Sequence, residues 1–311
     1  MEKSAKIYVA GHSGLAGSAI VRALMRHGYA AVEGIPSSRL DLTNQAATFA
    51  MFDRMRPDYI ILAAAKVGGI VANRDLPADF IFSNLAIQTN VFQAAHRIRV
   101  KKLLFLASSC IYPRHADQPI TEDQLLRGPL EETNRAYAIA KIAGVEMCRA
   151  YNAQFSSSFI ACMPTNLYGP GDNYHPEHSH VLPGLIRKIH EAKERDDKVV
   201  RLWGTGKPLR EFLHADDLGE AAVLLMNEYL GQDAINIGSG QEVTVAALAH
   251  HIAKVVGYRG IIDFDDSKPD GTPRKLLDSS KIRALGWEPK MGLWDGIEQT
   301  YRNFLEGRIR G

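Results

Sequence analysis

Tyr137 and Lys141 stand four residues apart, and Ser108 follows the apolar run Leu103-Leu104-Phe105-Leu106-Ala107. A four-residue spacing puts two side chains one helical turn apart on the same face. A phenol titrates near pH ~10 in water, too firmly protonated to exchange a proton readily at neutrality. An ammonium beside it favours the phenolate and brings proton transfer toward the working pH. The run before Ser108 reads as a buried parallel strand, so the hydroxyl would sit at the sheet's carboxyl edge, where open α/β folds bind ligands. Together these groups could carry a proton transfer at the sheet edge. Taken alone, Tyr-x-x-x-Lys is also the spacing of an ordinary solvated helix face.

The elements that would position them begin at the N-terminus. Ile7-Tyr8-Val9-Ala10 predicts a short strand, followed by Gly11-His12-Ser13-Gly14-Leu15-Ala16-Gly17 and a helical run from Ser18 to Arg26. Glycine permits φ > 0 and close approach of backbone to phosphate. The helix start turns free N–H groups toward a pyrophosphate. Between strand and helix, Gly-x-x-Gly-x-x-Gly is a dinucleotide fingerprint, marking Gly11, Ser13, Gly14, Leu15 and Gly17 as cofactor residues. The second strand is expected from Ala30 to Ile35, where an NAD site places an acid for the ribose. Glu33 is the nearby acid, and Ser37-Ser38-Arg39 follow it. Two hydroxyls and a guanidinium suit a 2′-phosphate, so the reading is NADP(H). A surface turn with an exposed arginine is the plain alternative.

Residues 58–65 predict another strand ending in small residues, with Ala64 allowing close cofactor approach, and Lys66-Val67-Gly68-Gly69-Ile70 as a loop near the site. Helices over 77–97 and 136–154 and a strand over 158–163 continue the alternation. This pattern implies an α/β fold with a Rossmann-type, doubly wound parallel sheet. Past residue 165 the pattern loosens into a smaller C-terminal α/β substrate domain, with a helix over 181–194. The expected division is 1–165 for the cofactor, rejoined by 211–240, with 166–210 and 241–311 for the substrate.

The 311 residues are 46% hydrophobic and 23% charged, an ordinary globular composition. A net charge of +2 without a long basic run argues against nucleic acid as a partner. No apolar run reaches the ~18 residues of a membrane span. The first six residues lead into a strand without a signal-peptide core. Cys110, Cys148 and Cys162 are scattered and odd in number, which fits neither a disulfide framework nor a zinc site, and a cytoplasmic location is expected.

Cys110 lies two residues after Ser108 and could face the same cavity. A cysteine there is either a small buried apolar residue or a proton-transfer base. His175-Pro176-Glu177-His178-Ser179-His180 admits three readings: a polar loop, a metal site, or a general acid opposite Cys110. The metal reading lacks a fourth ligand and regular spacing, and no metal is expected.

Motifs along the whole chain carry a more specific likeness. Gly11-His-Ser-Gly-Leu-Ala-Gly-Ser-Ala19, Ala63-Ala-Ala-Lys-Val-Gly-Gly-Ile70, Ser108-Ser-Cys-Ile-Tyr-Pro113 and Tyr137-Ala-Ile-Ala-Lys-Ile-Ala-Gly144 are four of them. Met163-Pro-Thr-Asn-Leu-Tyr-Gly-Pro170, Asp172-Asn-Tyr-His-Pro-Glu-His-Ser-His-Val181, Arg210-Glu-Phe-Leu-His214 and Lys268-Pro-Asp-Gly-Thr-Pro-Arg-Lys275 continue the set. They resemble the GDP-L-fucose synthase family of extended short-chain dehydrogenase/reductases. The resemblance implies 3,5-epimerisation of GDP-4-keto-6-deoxy-D-mannose, then NADPH-dependent reduction at carbon 4. It implies Cys110 as base, His180 as acid, Ser108 and Tyr137 on the carbonyl oxygen, and Lys141 tuning Tyr137. Lys141 and His180 would also border the cofactor. Asn166, Lys188, Trp203, Arg210 and Arg274 would hold the GDP-sugar, each with a surface or core role as the alternative. A helix-mediated homodimer is implied as well. Many bacterial relatives have arginine at the position of Ser13, which shifts phosphate binding toward Ser37, Ser38 and Arg39. Ala136 stands where proline is common. A related GDP-4-keto-(di)deoxy-sugar epimerase/reductase and a non-catalytic NADP-binding sensor are the competing readings.

Overall fold

Uninterrupted apolar runs suit strands that are covered on both faces. The computed structural model describes residues 1–268 and 270–307, so Pro269 of the last motif and the final four residues of the expected 241–311 segment lie outside the described residues. Strands in chain order are β1 (Ile7–Ala10), β2 (Val32–Glu33), β3 (Tyr59–Leu62), β4 (Lys102–Leu106), β5 (Phe159–Pro164) and β6 (Asn166–Tyr168). Then come β7 (Val199–Trp203), β8 (Leu209–His214), β9 (Ile235–Ile237), β10 (Glu242–Thr244), β11 (Ile261–Asp265) and β12 (Arg274–Lys275). The helices are α1 (Leu15–Arg26), α2 (Gln45–Met55), α3 (Ile70–Asp75), α4 (Pro77–Ile98) and α5 (Arg135–Phe155). They continue with α6 (Val181–Glu194), α7 (Ala215–Glu228), α8 (Val245–Val256), α9 (Ser280–Ala284) and α10 (Leu293–Leu305).

The main sheet is six-stranded and parallel throughout, in the order β2-β1-β3-β4-β5-β9. Alternate residues of each strand enter opposite cores. Ile7, Val9, Leu104, Leu106 and Ile160 pack with Ile20 and Leu24 of α1 and with Leu218 and Ala222 of α7. Tyr8, Leu103, Phe105 and Phe159 pack instead with Phe52 of α2, Phe92 of α4 and Val145 of α5. Truncating a fully buried side chain such as Phe92 to alanine would cost about 3–5 kcal/mol. β2 is shorter than the expected 30–35 because it is an edge strand, paired only with β1, and Pro36 offers no N–H to extend it.

A second sheet is built on β8, which pairs antiparallel with β10 and parallel with β12 and β6. A β7–β11 pair stands beside it. Apolar residues of α6, α8, α10, β7 and β8 share a third core. Within 211–240, β8 therefore lies in the second sheet, α7 covers α1, and β9 edges the main sheet. The main-sheet order turns back between β1 and β3, the kind of switch point where α/β sheets open a ligand crevice. Among the described residues no helix is long and apolar enough to cross a membrane.

Candidate active site

The crevice begins at the glycine turn after β1. Gly11 has φ +80°, and a Cβ there would lie 2.7 Å from the Ala64 nitrogen. A Cβ on Gly17 would collide with the Gly11 carbonyl, so helix and turn approach as only glycine permits. Gly14 caps α1 without a side chain, and Leu15 is its first residue. The free N–H groups of that first turn are the helix feature that suits an anion. The His12 ring packs against Gly34, which ties the glycine turn to the end of β2. Just beyond, Ser37, Ser38 and Arg39 are exposed in a turn closed by Arg39 N–H donating to Pro36 O at 2.9 Å. Ser13 is exposed beside the glycines. The cradle fits a dinucleotide phosphate.

Past β4, Ser108 caps a single 3₁₀ turn over 109–111, its Oγ accepting from Cys110 N–H at 3.2 Å. Tyr137, in the first turn of α5, is hydrogen-bonded to Ser108 and meets the Phe80 ring edge-on. Lys141 is 3% exposed and donates to Leu106 O at 2.7 Å. Its Nζ is 5.8 Å from the Tyr137 ring centroid. The expected tuning of the phenol differs here. Burial first, and Cys110 second, push the Tyr137 phenol up, while the Ser108 hydrogen bond opposes them. Burial also brings Lys141 down to about 7. Desolvation thus outweighs the ammonium, whose own hydrogen bond goes to the Leu106 carbonyl.

Cys110 is half-buried, whereas Cys148 and Cys162 are buried; all three are free thiols. Lys275 Nζ donates to Cys110 Sγ at 3.5 Å. Arg210, lowered chiefly by burial, also lies within electrostatic reach of Cys110 and donates to Leu209 O and Asp270 O. His180 stands at the start of α6, exposed to solvent and with no side-chain bond to the helix. The protein atoms around it, and then the Lys275 charge, disfavour its imidazolium. Lys275 therefore bonds Cys110 and lies within electrostatic reach of His180, a role that sequence reasoning missed. The available signal was strand alternation beside Arg274, legible only once β12 is known to be a strand.

The histidine loop is docked on the 66–70 loop: Gly69 N–H donates to His178 O at 3.0 Å, and Asn73 holds the Gly68 and Gly69 carbonyls. His175 Nδ1 accepts from the Glu177 and His178 N–H groups, so its lone pair is occupied. Among the described residues no cluster could hold a metal ion.

The expected substrate residues divide. Asn166 donates to Glu211 O at 2.7 Å beside Arg210. Lys188, its ammonium disfavoured by burial, donates to Arg201 O at 2.6 Å, two residues before Trp203, which is 57% exposed. Arg274 stands apart: it is exposed and forks onto Glu242 at 2.8 Å.

A glycine cradle at the switch point, with Ser, Tyr and Lys at a neighbouring strand end, defines a dinucleotide-dependent oxidoreductase site. The comparisons sharpen that class. The profile of the NAD dependent epimerase/dehydratase family matches residues 7–238, and the chain belongs to this family. It is 57% identical over 305 residues to GDP-L-fucose synthase 1 of Arabidopsis thaliana, covering 98% of this chain and 94% of that protein. It is 48% identical over 314 residues to GDP-L-fucose synthase of Escherichia coli (strain K12), covering 98% of each. The NADP-bound GDP-L-fucose synthetase structure from Naegleria fowleri superimposes with a TM-score of 0.90 at 29% identity, covering 99% and 96% of the two chains.

Proposed function

We propose that this chain converts GDP-4-keto-6-deoxy-D-mannose to GDP-L-fucose, inverting carbons 3 and 5 and then reducing the ketone at carbon 4. One observation carries the reading: Cys110 lies within electrostatic reach of Tyr137 and bonds Lys275, whose charge also reaches His180. Ser108, Tyr137 and Lys141 would suffice for reduction, and Cys110 with His180 are surplus to it. The full-length likeness to GDP-L-fucose synthases supports the same substrate.

The ketone acidifies the hydrogens at carbons 3 and 5. Cys110 Sγ takes such a proton, the electron pair moves to the carbonyl oxygen, and His180 returns a proton to the opposite face. Ser108 and Tyr137 hydrogen-bond that oxygen as charge develops. NADPH, when bound, supplies the hydride for carbon 4. The firmly held phenol proton of Tyr137 suits it as donor to the new hydroxyl. Lys141 holds the nicotinamide ribose, with His180 nearby. Gly11, Ser13, Gly14, Leu15, Gly17 and Ala64 cradle the dinucleotide, and Ser37, Ser38 and Arg39 take the 2′-phosphate. Asn166, Lys188, Trp203, Arg210 and Arg274 hold the GDP-sugar, for which Arg274 must leave Glu242.

Residues 1–165 and 211–240 serve the cofactor in this reading, with 166–210 and 241–311 serving the sugar. The strand 211–214 goes with the latter, because β8 is the centre of their sheet. A homodimer through α4 and α5 is supported by exposed Phe82 and Ile139; sedimentation at a monomer's mass contradicts it. The three free thiols support the cytoplasm as compartment.

The test is to incubate the chain with GDP-4-keto-6-deoxy-D-mannose and either NADPH or NADH, and to identify products by NMR. GDP-L-fucose, formed faster with NADPH, is expected. NADPH oxidation that yields a sugar unchanged at carbons 3 and 5 would make this a simple reductase.

A further inference from the structure

β12 is two residues long, and strand alternation sends its two cations to opposite sides. Arg274 turns outward to Glu242, while Lys275 turns inward to within 3.5 Å of Cys110 Sγ. The β12–β8 register pairs Lys275 with Arg210. Like charges on neighbouring positions of paired strands repel, and negative charge beside them relieves that repulsion. The groups facing Cys110 are Tyr137 from α5, Arg210 from β8 and Lys275 from β12, and the Lys275 charge also reaches His180. Glu131 and Asp270 lie within electrostatic reach of Arg210.

Lys275 is also firmly placed. Leu276 N–H donates to Gln118 Oε1 at 2.8 Å, and Leu276 O accepts from Ile120 N–H at 2.8 Å. Leu277 N–H donates to Oε2 of the fully buried Glu211 at 3.1 Å. The same carboxylate accepts from Gly240 N–H at 2.7 Å, tying β12 to the turn after β9. These bonds hold the ammonium against the thiol across 165 residues of sequence.

We propose that Lys275 is the positioning residue that makes Cys110 a reactive thiol, its ammonium set against Sγ, which rests on the reading of Cys110 as the epimerisation base. In the step it serves, an S–H bond forms as the sugar C–H bond breaks. The electron pair of that bond passes to the carbonyl oxygen, so negative charge leaves Sγ for the sugar. A cation beside a cysteine raises the thiolate share, and the thiolate is the reactive form. The same ammonium disfavours the imidazolium of His180. Its removal is therefore expected to slow reaction at Sγ near neutral pH.

The labelling arm of the test needs no substrate. Iodoacetamide labelling of Cys110 is followed by mass spectrometry across pH in the full chain, with Cys148 and Cys162 buried and Cys110→Ser as blank. Lys275→Met is expected to slow labelling at neutral pH about tenfold and to recover by about pH 9, while Lys275→Arg stays within about threefold of wild type. NADPH binding by each variant verifies the fold. A Lys275→Met labelling profile that coincides with wild type overturns the proposal, even where the wild type exchanges solvent deuterium into carbons 3 and 5. Wild type that exchanges no deuterium overturns the epimerase reading instead, leaving the labelling result to stand as a statement about the thiol.

Discussion

The two sides of the cleft are held in different ways. On the main-sheet side, Lys141 is 3% exposed and bonded to the Leu106 carbonyl, and Tyr137 is bonded to Ser108 one strand end away. On the facing side, His180 touches solvent at the start of α6, and Lys275 sits on a two-residue strand. The first side is assembled by the parallel sheet and α5. The second is assembled by β12, which pairs with β8 and bonds Cys110, with the Lys275 charge reaching His180. Reduction and epimerisation should therefore be separable at Tyr137 and Lys141, which come from α5 alone, although Ser108 and Cys110 share the turn after β4.

Tyr137→Phe should give the largest separation. Without the phenol proton, NADPH oxidation is expected to fall about 10²–10⁴-fold, while solvent deuterium entry at carbons 3 and 5 falls by a smaller factor, because Ser108 still bonds the carbonyl oxygen. Equal loss in both assays would mean that the two sides work as one.

A smaller effect should mark the buried side in stability. Lys141 is brought down to about 7 by burial, so between that value and its ordinary range near ~10.4 the unfolded chain holds a proton that the folded chain lacks. Stability should consequently rise with pH through this window, the penalty being complete below about 7 and gone above the unfolded value. Denaturant melts from about pH 7 to about pH 8.5, below most thiol ionisation, should show this slope in wild type and its loss in Lys141→Met. Parallel slopes in the two proteins would contradict the assignment.

The same division explains what could be read in the chain. The glycine turn, Ser108 after its apolar strand and the Tyr137–Lys141 pair are local patterns, and each occupies the element expected for it. The direction of the Tyr137 shift was not legible, because it depends on how deeply α5 and β4 bury the phenol. Lys275 was not legible either. Its meaning comes from a two-residue strand whose register on β8 turns Arg274 one way and Lys275 the other. The edge position of β2 likewise shortened a strand that composition alone extended to Ile35.

The most direct test of the central claim is solvent deuterium entry at carbons 3 and 5 of GDP-4-keto-6-deoxy-D-mannose in Cys110→Ser, set against NADPH oxidation by the same variant. Exchange is expected to fall about 10²-fold or more, with NADPH oxidation persisting and yielding sugar not inverted at both centres. Exchange at the wild-type rate would remove Cys110 from the chemistry and with it the second acid–base set.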